Sequence, residues 1–335
     1  MTTYGSSQRL AVRGLEEMLG VLPHVMGFHP EESLVAILLE HNDVVLTARV
    51  DLTCVADPGE AEQHITRMTS RFPGARVCLI AYTEDPALGW EVLAECEMTA
   101  GLATVCTLLV TGGWWFDHPC GPGEPYDPRA SIAAAEATLR GMPARPSRAD
   151  LAALVRGPSD PAGQRASFTT QLKWLDDVLD PAQERSFLVR LLQEAIARPT
   201  DLSDEDVARL ALLVRSPDPR DQASMMLCRK TAPALLAVWS TVVSRTPPEF
   251  ALQPLALMGM AAWVAGEGAL SVCCLERAET LAPRAGLVAI LSDTNSLMLA
   301  PDYWDEVLRP DFLTVARLVK AMPRRAYRRM IQRRR

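Results

Sequence analysis

Three consecutive stretches decide the fold: Ala75-Arg-Val-Cys-Leu-Ile-Ala-Tyr82, Asp85-Pro-Ala-Leu-Gly-Trp-Glu-Val-Leu-Ala-Glu-Cys96 and Ala103-Thr-Val-Cys-Thr-Leu-Leu-Val110. The first is a strong strand and the third reads as a further strand. The middle stretch opens on Asp85-Pro86, a capping residue followed by proline at the first helical position. It then places Leu88, Val92, Leu93 and Cys96 on one helical face. Strand, helix and strand in this order form a crossover unit, so the two strands are expected to be parallel neighbours with a right-handed connection.

Working outward, Leu34–Leu39 is continuously apolar and predicts a central strand. After the turn-like His41-Asn42-Asp43, residues Val44, Leu46, Ala48, Val50 and Leu52 alternate with polar partners, so the pair reads as a β-hairpin. Asp57-Pro58-Gly59-Glu60 has the makings of a helix start with a side-chain cap, and Ala61, Ile65, Met68 and Phe72 form one apolar stripe behind it. Upstream, a short helix is expected to end at Val21-Leu22-Pro23, with His24–Ser33 as a structured loop punctuated by Gly27 and Pro30. The segment Thr111–Pro128 is so dense in glycine and proline that an irregular loop is expected there.

From Ser131 onward the periodicity is helical throughout. The helices expected include one long one over Arg220–Ser244 and a final one over Asp311–Met322. The expected organisation is an α/β N-terminal domain over residues 1–128, built from a β-hairpin followed by a strand-helix-strand unit. An all-α helical bundle over 129–322 and an arginine-rich tail over 323–335 follow. Leu255, Met258, Gly259, Ala262, Gly266, Ser271, Leu275, Ala278 and Pro283 are spaced like one tetratricopeptide unit, so a tetratricopeptide-like hairpin is expected over 252–285. One fair copy and one weak echo at Ala232–Pro248 leave a bundle and a short solenoid both open.

Composition narrows the class. With 48% hydrophobic and 22% charged residues the chain is ordinary globular material. Its start lacks a basic segment followed by an apolar one, so no signal peptide is expected. The most apolar run, Leu252–Gly266, is shorter than the roughly 20 residues a bilayer requires, so it reads as a buried helix and no membrane partner is expected. Eight cysteines without a CxxC pair, most of them inside apolar runs, fit reduced thiols in a cytoplasm. The net charge of −7 is uneven: outside the tail, 27 basic residues stand against 41 acidic ones. Nucleic acid is therefore expected only through Arg324, Arg325, Arg328, Arg329, Arg333, Arg334 and Arg335, with a solvated end as the plainer reading of that tail.

Two places could carry chemistry. If the strands ending at Asp51, Tyr82 and Val110 run the same way, their carboxyl ends converge, where open α/β sheets bind ligands. The candidate pocket then draws on His29, Glu31, Glu32, Asp51, Glu84, Asp85, Thr111, Gly112, Gly113, Trp114 and Trp115. The plain alternative makes Asp85 a helix cap, the glycines a turn and the tryptophans core. His29, Asp117, His118 and Cys120 offer nitrogen, oxygen and sulfur ligands for a zinc-like ion, but no tight ligand spacing joins them, and no cofactor is predicted. Phosphate-loop, dinucleotide, nucleophile-elbow and zinc-protease motifs are all missing.

Three segments resemble one family. They are Val21-Leu-Pro-His-Val-Met-Gly-Phe-His-Pro-Glu-Glu-Ser-Leu-Val35 with Arg49-Val-Asp-Leu52, Val110-Thr-Gly-Gly-Trp-Trp115 through Gly141, Arg148 and Leu151, and Ala262-Trp-Val-Ala-Gly-Glu-Gly-Ala-Leu270 with Leu275-Glu-Arg-Ala278. Together they are similar to the actinobacterial domain-of-unknown-function family 4192, over roughly residues 10–305. The resemblance implies an actinobacterial cytoplasmic protein and no activity. Members similar to this one carry a Cys-Cys-Pro run after the paired tryptophans, where only Cys120 remains here. The expectation is a ligand- or partner-binding scaffold whose helical region takes a protein partner and whose α/β domain takes a small molecule. The rivals are a metal-assisted hydrolase or nucleotide-handling enzyme in the α/β domain, and a nucleic-acid-associated protein acting through the tail.

Overall fold

The computed structural model describes residues 12–57, 59–99, 103–180, 182–283 and 286–309. The chain divides into two compact units, Met1–Leu151 and Ala152–Arg335. The first carries a six-stranded mixed sheet: β1 (Ser33–Glu40), β2 (Asp43–Asp51), β3 (Arg76–Tyr82), β4 (Ala103–Thr111), β5 (Trp114–Phe116) and β6 (Glu124–Pro125), in spatial order β2-β1-β3-β4-β5-β6. The β1–β2 hairpin closes on His41 and Asn42, whose φ values of 50° and 70° are both positive, the condition for a two-residue turn matched to strand twist. β3 and β4 are parallel neighbours joined by α3 (Pro86–Glu97). β1 is antiparallel to both β2 and β3. Leu34–Leu38 are all buried, as a strand covered on both faces requires.

Helix α3 covers the face that carries Ala81 and Leu109. Gly89 permits the close approach, because a Cβ there would stand 2.6 Å from Leu109 Cδ1. Helix α2 (Glu60–Arg71) packs beside α3. Its cap differs from the sequence expectation. The residue before it is Gly59, with φ of 89° and no side-chain cap of its own. Glu95 on α3 supplies the acceptor instead, its Oε1 receiving the Gly59 N–H at 3.0 Å and the Glu62 N–H at 3.2 Å. An acceptor contributed across a helix pair is invisible to a local capping rule. Replacing Glu95 with alanine should cost about 1 kcal/mol, the usual worth of an N-cap, measurable as a lower urea midpoint with unchanged slope.

Three local expectations fail in this unit, each for a tertiary reason. The first helix, α1 (Leu15–Met26), runs through Pro23 and ends on the left-handed Gly27. Proline removes only one backbone bond there, and the buried face of Leu19, Val21, Leu22 and Met26 outweighs that loss. The Gly-Pro segment after Val110 is not wholly irregular: Gly112 and Gly113, with φ of 53° and 80°, turn the chain so that β5 pairs back on β4 and β6 on β5. And α4 (Ile132–Leu139) belongs with the sheet, because Val21 of α1 packs on Ala133 and Ala137. Phe28 also forms a parallel bridge with Arg145. The first unit therefore runs past 128 to Leu151.

The second unit is helical throughout its described residues: α6 (Pro161–Val178), α7 (Glu184–Ala197), α8 (Asp204–Leu213), α9 (Pro217–Met226), α10 (Ala232–Arg245), α11 (Leu252–Ala265), α12 (Gly268–Leu281) and α13 (Leu287–Ser296), after the short α5 (Arg148–Ala153) at the boundary. The apolar run is a buried helix, with every residue from Pro254 to Val264 inside. α10, α12 and α13 pack around it. The single helix expected over Arg220–Ser244 is two. Pro233 stands in the first turn of α10, and Thr231 holds the break, its Oγ1 donating to the Met226 carbonyl at 2.8 Å and accepting from the Cys228 N–H at 3.0 Å. The helix expected over Asp311–Met322 and the arginine tail lie outside the described residues. No helix among the described residues is long and apolar enough to cross a membrane.

Candidate site at the carboxyl edge of the sheet

Because β1 opposes both β2 and β3, and β3 parallels β4, strands β2, β3 and β4 run the same way. Their carboxyl ends and the start of β1 lie at one edge. Register makes this a continuous row: Asp51 faces Ser33, Ser33 faces Tyr82, Tyr82 faces Val110, Val110 faces Trp115 and Trp115 faces Glu124. Residues in one row project to the same face. The condition for convergence set by the sequence is therefore met.

Two of the acidic candidates at this edge hold backbone. Glu32 has a left-handed φ of 41°, uncommon outside glycine. Three hydrogen bonds fix it there. Its carboxylate accepts from Thr83 Oγ1 and from the Glu84 N–H, both at 2.9 Å, and its carbonyl accepts from the Leu52 N–H at 2.9 Å. Glu32 thus ties the beginning of β1 to the ends of β2 and β3. Asp85 is a helix cap, accepting from the Ala87 and Leu88 N–H groups at 3.0 and 3.2 Å. Glu31 and Glu84 are exposed. Asp51 pairs with Arg49 at 2.6 Å. Arg49 also donates from Nε to Ser33 Oγ at 2.7 Å and lies over the Phe28 ring, so it links β2 to β1 and to the segment after α1.

His29 is half-buried, and its backbone N–H donates to the Arg145 carbonyl at 2.9 Å. Burial, reinforced by the neighbouring charges of His24 and Arg129 and partly offset by Glu31, holds its imidazole below the ordinary range. The ring is therefore neutral near pH 7. Asp117, His118 and Cys120 are exposed in a separate tight turn, in which His118 Nδ1 accepts the Cys120 N–H at 3.1 Å. Among the described residues no group of three or more His, Cys, Asp or Glu side chains is placed to hold a metal ion.

Gly112 and Gly113 form the turn that separates the two tryptophans from Thr111, the last residue of β4. Trp114 is 47% exposed, whereas Trp115 is buried. The Trp115 indole N–H has no hydrogen-bond partner among the described residues, and neither has the buried Tyr82 hydroxyl in the same row. Tyr126 is held over this place by its N–H bond to the Gly113 carbonyl at 2.8 Å. Its ring meets Tyr82 edge-on, with centroids 6.3 Å apart. The two hydroxyls influence each other's ionisation, yet no hydrogen-bond geometry joins them. Burial raises the Tyr82 hydroxyl well above its usual range and pushes Tyr126 up to about 12. Both remain protonated at neutral pH. The edge therefore presents two buried donors on one face of the sheet: the Trp115 indole, without an acceptor among the described residues, and the Tyr82 phenol, whose polar neighbour is the Tyr126 hydroxyl outside good hydrogen-bond geometry. Leaving a buried donor unmet costs about 1–3 kcal/mol, so such groups call for an acceptor from an ordered water or a ligand.

Sequence reasoning named Trp115 here, placed Tyr82 and Thr83 at the converging strand ends and gave Ser33 a backbone hydrogen bond, which it makes to the Glu31 carbonyl, but missed Tyr126 and Arg49 as parts of the arrangement. The available signal was positional: Ser33 opens an otherwise apolar strand, and Tyr82 closes one. Comparison with known proteins adds a family and no chemistry. No curated protein and no solved structure matches the chain. A family model described as "Domain of unknown function (DUF4192)" matches residues 16–302, a span that contains all three segments carrying the resemblance; on that match the chain belongs to the DUF4192 family.

Proposed function

We propose that the protein is a binding protein whose α/β unit holds a small acceptor-bearing molecule at the carboxyl edge of its sheet. The observation that carries this reading is the pair of buried, unpartnered donors, Tyr82 Oη and Trp115 Nε1, in one register row. The place is the one that open α/β sheets favour for ligands. Two buried N–H or O–H groups select a carbonyl, carboxylate or phosphate oxygen and reject a purely apolar guest. Binding is favoured over hydrolysis because Glu32 and Asp85 are already engaged with hydroxyl and backbone donors, which leaves neither poised as a general base. His29, Glu31, Asp51 and Glu84 stand around this edge as candidate rim residues. The free thiols, Cys78, Cys96 and Cys274 among the buried ones, fit a reducing cytoplasm.

A protein partner for the helical unit is the second reading. It rests on the tetratricopeptide-like spacing and on the close pairing of α11 with α12. A Cβ at Gly259 would lie 3.0 Å from the Cys274 Cβ, and Ser271 Oγ donates to the Gly259 carbonyl at 2.9 Å.

Native mass spectrometry of the purified chain tests the first reading. Wild type should retain a small molecule of defined mass, and Tyr82→Phe, which keeps the ring packing but deletes the donor, should retain at least tenfold less. Equal retention by the two proteins, or none by wild type, counts against binding at this edge.

A further inference from the structure

A second constellation lies nearer the opposite end of the same two strands. Along β3 and β4 the register runs Val77 to Thr104, then jumps so that Cys78 faces Cys106. Val105 is the extra residue of a bulge and is turned outward, 46% exposed. Without the bulge Val105 would face Cys78; with it, two cysteines stand directly opposite on neighbouring strands. Bulges re-aim side chains in this way. Neighbouring strands lie about 4.8 Å apart, inside the range of Cα separations that a disulfide spans. Cys78 is buried and Cys106 half-exposed, and neither is bonded to another cysteine. Only a small reagent passing beside Cys106 can therefore reach the Cys78 sulfur.

We propose that Cys78 and Cys106 form a reversible dithiol–disulfide site oxidised by small hydroperoxides. The proton distribution suits the step. Contact with the Cys106 thiol draws the Cys78 thiol down, and the same contact pushes Cys106 up, so the proton that the pair gives up comes from Cys78 and Cys106 keeps its own. The Cys78 thiolate attacks a peroxide oxygen. The O–O bond breaks, the leaving hydroxide or alkoxide takes up a proton, and Cys78 becomes a sulfenic acid. The Cys106 sulfur then attacks the Cys78 sulfur. An S–S bond forms, the S–O bond breaks, and the departing hydroxide leaves as water with the Cys106 proton. Two thiols are oxidised and one peroxide is reduced. Facing side chains on parallel strands project side by side, so closing the bond strains it, and a strained disulfide is readily reopened by a small thiol. The site is independent of the ligand reading, because its test reads the bond itself.

The test uses the full folded chain with Cys120→Ser, treated with hydrogen peroxide, alkylated and digested. No Lys or Arg lies between Arg76 and Arg129, so trypsin would leave both thiols on one peptide. A glutamate-specific protease separates them at Glu84 and Glu97. The expected result is a cross-linked peptide pair joining Cys78 to Cys106, released by dithiothreitol. In addition, Cys106→Ser should leave a Cys78 sulfenic acid that dimedone traps. The proposal is overturned if Cys78 and Cys106 are still fully alkylated after peroxide has modified the exposed Cys54, or if the recovered link joins other cysteines.

Discussion

Trp304→Ala should destabilise the helical unit by about 4 kcal/mol, the cost typical of truncating a fully buried tryptophan. The indole is completely buried and meets Trp263 edge-on at 6.5 Å. Its Nε1 donates to the Leu227 carbonyl at 3.0 Å, in the break between α9 and α10. The neighbouring Asp305 accepts the Arg229 N–H at 2.9 Å, and Arg229 pairs with Asp302 at 2.8 Å, so one turn of chain stitches that break shut. Truncation would leave a cavity and a carbonyl without its donor. Domains are stable by only about 5–15 kcal/mol, so such a loss should be plain in a urea titration followed by circular dichroism. Trp304→Phe keeps an aromatic ring and should cost roughly half as much, from the lost hydrogen bond and the smaller ring. A loss below about 1 kcal/mol for the alanine variant would mean that the turn does not hold the break.

Gly20→Ala should also destabilise, against the sign that helix propensity alone predicts. Glycine to alanine inside a helix normally gains about 1 kcal/mol. At Gly20 the new Cβ would stand 2.2 Å from Ser131 Oγ and 2.6 Å from its Cβ, closer than atoms can approach. Ser131 cannot simply swing away, since its Oγ caps α4 by accepting the Ala134 N–H at 2.9 Å. The expected cost is about 2–3 kcal/mol, as for overpacked cores. Combining Gly20→Ala with Ser131→Gly removes both clashing atoms and leaves a tolerated cap, so the double variant should return to within about 0.5 kcal/mol of wild type. Thermal melts of the three proteins measure this. A double variant no better than Gly20→Ala would place the strain elsewhere.

Sequence was informative wherever the controlling physics is local. The unbroken apolar run Leu34–Leu39 named a strand buried on both faces, and Leu34–Leu38 are buried; Ala75–Tyr82 named a further strand, and Asp85-Pro86 named a helix start that the structure caps as expected. It failed wherever a distant segment decides. Pro23 sits inside a helix because the surrounding face is buried, β5 exists because β4 offers it an edge, and α2 is capped by a glutamate from α3. The site divides in the same way. Convergence of the three strand ends followed from a direction argument, and Glu32, Asp85 and Trp115 were named from their position. That Glu32 clamps three strands, and that Tyr82 and Trp115 are left without partners, depends on which groups stand nearby once the chain has folded. No spacing rule encodes an absent partner.

The most direct measurement is the indole N–H of Trp115 in a nitrogen-15 proton spectrum, where the chain's seven tryptophans give resolvable signals and Trp115→Phe identifies the right one. The protein is titrated with small carboxylates, phosphates and amides. If this edge binds an acceptor, the Trp115 signal shifts saturably with a member of one class while the exposed Trp114 stays put, and the shift weakens in Tyr82→Phe. A Trp115 signal that stays fixed through all three classes, while exchanging its proton with water, would show that its donor meets only solvent, and the carboxyl edge would not be a binding site.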